Sequence, residues 1–299
     1  MSPPLRFLVT GLTGQVVQAL LETGRDQPEI AIIALGRPQL DLMNTKSIVG
    51  VLKECSPDIV VSAAAYTSVD LAESNRVAAF KVNSEAPREL AIAASDMRVP
   101  IIHLSTDYVF DGTKNTPYVE TDTAVPLGVY GQSKLQGEKL ISAVMDDHVI
   151  LRTAWVYSPF GRSFMRTILD HARTRKELLV VDDQVGNPTS ALDLAREILS
   201  VGKNLLNSRD RELRGTFHLT ATGDASWADF AEEILKASRA IDGPSAEVRR
   251  ISAADYPTPA RRPSNSRLCS RKIQDHHGIR LPVWSASVSA SVCRLLQHV

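Results

Sequence analysis

Five short apolar runs alternate with helix-forming segments over the first half of the chain, and that alternation restricts the fold more than any other feature. The runs are Leu5–Thr10, Ile30–Leu35, 58–62, 99–104 and 149–152, and the spacing predicts helices over 15–22, 47–55, 75–97 and 130–144. Runs that are apolar at nearly every position read as strands covered on both faces, which requires helices above and below a parallel sheet. Right-handed β-α-β crossovers then make a doubly wound, Rossmann-like α/β sheet the expected assembly. Beyond residue 153 the pattern loosens. Helices are predicted over 164–173, 192–201 and 227–237, and a rigid extended loop over 255–265, which carries Pro257, Pro259 and Pro263. The expected division is a dinucleotide-binding domain over 1–155 and a smaller C-terminal α/β substrate lobe over 156–299, partly interleaved with the sheet.

Charge and cysteine usage narrow the class of partner. Lys and Arg total 34, as do Asp and Glu, so no dedicated nucleic-acid or membrane surface is expected. No apolar run approaches the ~20 residues needed to cross a bilayer, and Gly11 and Gly14 interrupt the N-terminus before a signal-peptide core can form. Cys55, Cys269 and Cys293 are an odd, scattered set, which suits a reducing compartment and makes the cytoplasm the expected location.

The segment Thr10-Gly11-Leu12-Thr13-Gly14-Gln15-Val16-Val17 joins the first strand to the first helix. Glycine there lets the backbone turn tightly and approach a pyrophosphate, which the helix N-terminus attracts with free N–H groups. The plainer alternative is a tight turn and nothing more. Val17 stands where the dinucleotide pattern has a third glycine, so the helix is expected to sit slightly farther out. No acidic residue closes the second strand at 33–38, where one would favour NAD; Arg37 stands there instead. As the partner of a 2′-phosphate it favours NADPH, with NADH as the alternative; as a solvated loop charge it favours neither.

Tyr130 and Lys134 are four apart at a predicted helix start and so share a face. An ammonium beside a phenol favours phenolate, and a phenol so tuned can act as general acid toward a carbonyl oxygen. The competing reading is an ordinary surface pair. Ser105 and Thr106 end the fourth predicted strand, where an open α/β sheet faces its ligand crevice, and both can donate a hydrogen bond to a substrate oxygen. Alternatively, they cap their own strand.

Taken in order, these segments resemble the dTDP-4-dehydrorhamnose reductases, a family of extended short-chain dehydrogenase/reductases. The resemblance runs nearly the whole length. It covers the glycine turn, Ala63-Ala64-Ala65-Tyr66-Thr67-Ser68-Val69-Asp70, Ser105-Thr106-Asp107-Tyr108-Val109-Phe110-Asp111-Gly112, the Tyr130 helix, Leu151-Arg152-Thr153-Ala154-Trp155, Asp183-Gln184-Val185-Gly186-Asn187-Pro188-Thr189 and Tyr256-Pro257-Thr258-Pro259-Ala260-Arg261-Arg262-Pro263. The resemblance implies reduction of the C4 ketone of a nucleotide sugar, dTDP-4-dehydro-β-L-rhamnose, by NAD(P)H. It implies that Tyr130 protonates O4, Lys134 binds the nicotinamide ribose and tunes Tyr130, and Thr106 holds the reacting oxygen. Asp107 would contact the sugar and Trp155 would pack beside it. Gly14, Gln15, Val16, Asp41, Leu42, Ala64, Ala65 and Tyr66 would line the cofactor, and Asn83 would support proton relay. Arg262 is the candidate for the substrate diphosphate, since a guanidinium suits phosphate; facing solvent is its alternative. Two departures stand out. Cys269 replaces an acidic residue that some members carry, and no acidic cluster matches the Mg²⁺ some members hold at a dimer contact, so no metal is expected. A homodimer is the candidate assembly. Two further classes share this fold: the regulatory subunits of methionine adenosyltransferase, which act by binding a partner, and nucleotide-sugar epimerases or dehydratases. NADPH oxidation with a 4-keto sugar nucleotide separates the first from a reductase; cofactor retained through purification marks the second.

Overall fold

The computed structural model describes residues 3–297. In chain order, β1 (Leu5–Thr10), α1 (Gln15–Arg25), β2 (Ile30–Leu35), α2 (Ile48–Cys55), β3 (Ile59–Ser62), α3 (Val69–Ser74) and α4 (Arg76–Phe80) lead into a π-helical turn (Lys81–Glu85). α5 (Ala86–Asp96), β4 (Ile101–Thr106), α6 (Val129–Val144) and β5 (His148–Thr153) complete the first half. The second half contains β6 (Val156–Tyr157), α7 (Phe164–Ala172), β7 (Glu177–Val181), β8 (Val185–Gly186), β9 (Thr189–Ser190), α8 (Ala191–Asn207) and β10 (Gly215–His218). It ends with β11 (Ala225–Ser226), α9 (Trp227–Arg239), β12 (Glu247–Ile251), α10 (Arg271–His277) and α11 (Val288–Gln297).

The main sheet has six strands in the order β2-β1-β3-β4-β5-β10, all parallel. It is the Rossmann-like doubly wound sheet, with a core on each face. On one face Phe7, Val9, Val61, Leu151 and Phe217 pack with Leu20 of α1 and Leu194 and Ile198 of α8. On the other, Leu8, Val60 and Ile101 pack with Leu52 of α2 and Leu90 of α5. From β1 the chain passes to β2 on one side and then returns to β3 on the other. That reversal opens a crevice at the carboxyl ends of β1 and β3, the usual ligand position in such sheets.

A smaller unit is built from β7 and β12, paired parallel, with α7, α9 and α11 around Tyr157, Met165, Phe230 and Ile234. α8 and β10 belong instead to the main sheet layer, although they lie between the segments of this unit. Among the described residues, no helix is long and apolar enough to cross a membrane.

The secondary structure departs from the expected in two respects. The helix predicted over 75–97 is interrupted by the π turn, where Asn83 is pinned from both sides. α3, which precedes it, has too short a pattern to read. β7, β10 and β12 were not predicted at all: β12 reads Glu-Val-Arg-Arg-Ile and is largely exposed, so it lacks an apolar run. Val17, in place of the third glycine, is 2% exposed and fits because Gly11 is bare; a Cβ on Gly11 would lie 3.2 Å from its Cγ2.

Candidate active site

A cleft of ≈ 1540 Å³ lies at the carboxyl ends of β1, β3, β4 and β5, between the sheet and the smaller unit. Apart from Asn83, the residues singled out above for catalysis, cofactor or substrate line it, from Gly11 and Arg37 to Trp155 and Arg262.

The cofactor side follows from the first turn. Gly11 has φ +105°, a conformation that side chains rarely adopt, and its N–H donates to Leu35 O at 2.6 Å. Thr10 Oγ1 accepts from the N–H groups of Ala63 and Ala64, at 3.0 Å each, which locks the ends of β1 and β3 together. Gly14 caps α1 in extended backbone with no side-chain cap, so no side chain covers the first-turn N–H groups facing the cleft. Gln15 donates to Val156 O at 3.3 Å and accepts from Ser158 Oγ at 2.8 Å, tying α1 to the segment after β5. Asp41 accepts from Met43 N and builds the turn that carries Leu42. Arg37 is exposed at the cleft, with no hydrogen-bond or ion-pair partner among the described residues. An open turn, an uncapped helix start and an unpaired guanidinium fit a dinucleotide bearing a 2′-phosphate.

Tyr130 sits in the first turn of α6 and Lys134 one turn on. Gly131 lets α6 approach this closely: a Cβ there would lie 2.1 Å from Tyr108 O. Lys134 is 2% exposed, and its Nζ donates to Leu104 O at 2.6 Å and contacts His103 Nε2 at 3.1 Å. Burial lowers its pKa to about 8, opposed by the carboxylate of Glu138. Burial raises the Tyr130 phenol to about 12; Thr106 opposes that shift and Asp107 adds to it. Burial is thus the main influence on the phenol, and it acts in the direction opposite to that expected of a neighbouring ammonium. Thr106 Oγ1 donates to Asp107 Oδ1 at 3.0 Å and accepts from Tyr108 N. The Asp107 carboxyl is raised to about 7 by burial, which its hydrogen bonds only partly offset.

Two neighbours are engaged within the protein. Ser105 Oγ donates to Glu138 Oε1 at 2.5 Å, and Arg152 makes three hydrogen bonds to the same carboxylate, so the one Ser105 proton is spent inside the protein. Asn83 is fully buried in the π turn. It accepts from Tyr66 N at 2.7 Å and donates to Tyr66 O and Ser133 Oγ, fastening the cofactor-side loop to α6.

On the substrate side, Trp155 holds φ +46° and stacks face to face on Trp227, with centroids 3.5 Å apart and an interplanar angle of 3°. Its Nε1 donates to Ser266 Oγ at 3.2 Å, and Gly186 is needed beneath it, because a Cβ there would lie 2.4 Å from the indole. Arg262 does not face solvent freely: it pairs with both oxygens of Asp70, at 2.8 and 3.2 Å. No role in the site was expected for Trp227, which lines the cleft, or for Asp70, which holds the cleft residue Arg262. Trp227 lies at the start of an ordinary amphipathic helix, and Asp70 lies 192 residues from its partner. Neither spacing carries a signal.

The chain matches the family model for the RmlD substrate binding domain over residues 5–297. It is 47% identical to the dTDP-4-dehydrorhamnose reductase of Sinorhizobium fredii, over 98% of each chain. Among solved structures it superposes on a dTDP-4-dehydrorhamnose reductase from Clostridium acetobutylicum with a TM-score of 0.90 at 34% identity, covering 98% of this chain and 100% of that one. The reductase of Bacillus anthracis, solved in complex with NADP, gives 0.88 at 29% identity, over 99% and 100%.

Proposed function

The chain belongs to the RmlD substrate binding domain family, and we propose that it reduces the C4 ketone of dTDP-4-dehydro-β-L-rhamnose to dTDP-β-L-rhamnose with NADPH. The bound cofactor supplies the hydride that reaches C4. Tyr130, protonated across the working pH range, donates a proton to O4. Thr106 positions that oxygen through its hydroxyl. Lys134, as ammonium, offsets charge developing on the phenol and binds the nicotinamide ribose. Asp107 contacts the sugar, and the Trp155 indole lies along the ring, whose C–H faces suit an aromatic surface. Arg262 takes the diphosphate, leaving Asp70 to do so. Gly11, Gly14, Gln15 and Val16 receive the pyrophosphate, Arg37 reads the 2′-phosphate, and Asp41, Leu42, Ala64, Ala65 and Tyr66 line the dinucleotide.

One observation carries this reading: Tyr130, Lys134 and Thr106 share a wall of the same cleft into which the uncapped start of α1 opens. Residues 1–155 are proposed to serve the cofactor and most of 156–299 the sugar nucleotide. A cytoplasmic setting and a homodimer belong to the same proposal. Three unpaired cysteines support the first, and the exposed Leu71 and Val77 on neighbouring helices support the second.

The test is NADPH oxidation with the 4-keto sugar nucleotide, in the parent and in Tyr130→Phe. The variant is expected to lose ~10²–10⁴-fold in kcat with KM nearly unchanged. No turnover by the parent rejects the activity; full turnover by the variant removes Tyr130 from it.

A further inference from the structure

We infer that His103 is a positioning residue for Lys134: a neutral imidazole, anchored by Ser62, that accepts from the ammonium and holds it in place from inside the sheet. The inference rests on the proposed reading of Lys134 as a working ammonium.

His103 is the third residue of β4, in a run of Ile101, Ile102 and Leu104, and is fully buried. A polar ring among aliphatic neighbours is costly unless both nitrogens are bonded. Both are. Ser62 is its direct cross-strand partner on β3, which brings Ser62 Oγ to 3.0 Å from Nδ1, while Nε2 lies 3.1 Å from Lys134 Nζ. An ammonium can only donate, so Nε2 must accept; Nδ1 then carries the hydrogen and donates to Ser62 Oγ. Leu104 O takes a second ammonium hydrogen at 2.6 Å. Two of the three donors are thus fixed from within, and one is left for the cleft.

The charged neighbours agree with this arrangement. Burial, then Lys134, then His148 of β5 hold the imidazole well below its ordinary pKa, so it stays neutral and remains an acceptor. On the lysine side Glu138 favours the charged form, but its carboxylate is already shared by Ser105 and Arg152. Tyr130 lies one turn away on α6 and Asp107 just past β4. Leucine at 103 would fill the same space and leave the ammonium one acceptor short. A buried charge that loses a hydrogen bond favours its neutral form, so Lys134 would then lose its proton at lower pH.

The experiment is turnover against pH, with NADPH and the 4-keto sugar nucleotide, for the parent, His103→Leu, His103→Gln and Lys134→Met. In His103→Leu the alkaline limb of kcat is expected to move down by about one to two pH units, costing ~10-fold or more at pH 8. KM for the sugar nucleotide should stay unchanged. His103→Gln, whose Oε1 can accept, should restore most of the limb. A Lys134→Met enzyme with parental turnover overturns both the reading of Lys134 and this inference. An inactive Lys134→Met alongside an unmoved limb in His103→Leu overturns the inference alone. Should His103→Leu fail to fold, Ser62→Ala carries the test. It leaves the ring but removes the acceptor of its Nδ1–H, so the ring is held less firmly, the limb should move the same way by a smaller amount, and an unmoved limb rejects the idea.

Discussion

At the scale of single residues, burial sets the protonation states of the cleft more than neighbouring charge does. Tyr130 and Lys134 share a helix face, yet each is shifted mainly by desolvation, and in opposite directions. Asp107 offers a stability test of the same effect. Its folded pKa of about 7 lies above the unfolded value near 3.8. Below about pH 4 both states are protonated and no penalty exists. Between 4 and 7 only the unfolded state ionises, so stability falls as pH rises, and above 7 the full penalty is present. Asp107→Asn is expected to be more stable than the parent at pH 8, by on the order of 1–3 kcal/mol, with the difference vanishing toward pH 4. Melting curves at the two pH values decide it; a gap that does not change with pH rejects the assignment. Arg37 gives the second residue-scale prediction. Arg37→Ala should raise KM for NADPH by ~10-fold while leaving NADH nearly unaffected, since one charge-assisted phosphate contact is lost. Equal losses would mean that the guanidinium does not read the 2′-phosphate.

At the scale of elements, the site depends on how closely α6 lies against its neighbours. Gly131 and Gly137 make that approach possible, one beneath Tyr108 O and the other beneath the backbone of the π turn. A Cβ on Gly137 would lie 2.2 Å from Asn83 O, which is backbone and cannot swing away. Gly137→Ala should therefore lower stability by about 1–3 kcal/mol and also lower kcat, because α6 carries Tyr130 and Lys134. Urea unfolding together with steady-state kinetics tests this, and a variant of parental stability would show that α6 has room to spare. Much of this level was legible in advance. The five strands and the long helices of the first half follow from apolar periodicity, with ends that differ by a few residues. The π turn was not legible, because the cause lies outside the segment: Asn83 is held by Tyr66 and Ser133, and no local pattern records that.

Across the whole molecule, the Pro-rich segment over 256–266 works as a strap. It starts in the smaller unit and reaches the sheet side, where Asp70 accepts from Ala260 N and binds Arg262, and where Ser264 Oγ donates to Gly112 O. The Arg262 pair lowers the Asp70 pKa, so the strap stays fastened at neutral pH. Asp70→Ala should loosen it, so that trypsin, for which the already exposed Arg261 is the nearest site, cleaves there several-fold faster than in the parent. Unchanged cleavage would mean that the prolines hold the segment without the ion pair.

Strand–helix alternation, the glycine turn and the order of the short motifs determined the fold and the family and picked out residues that line the cleft, because each depends on local spacing or on a bare backbone position. Only the tertiary structure decided which side chains are spent on one another. Ser105 belongs to Glu138, Arg262 to Asp70, Trp155 to Trp227 and Lys134 to His103. These partners come from separate elements, and burial makes each hydrogen bond and each shifted pKa depend on what the fold packs alongside.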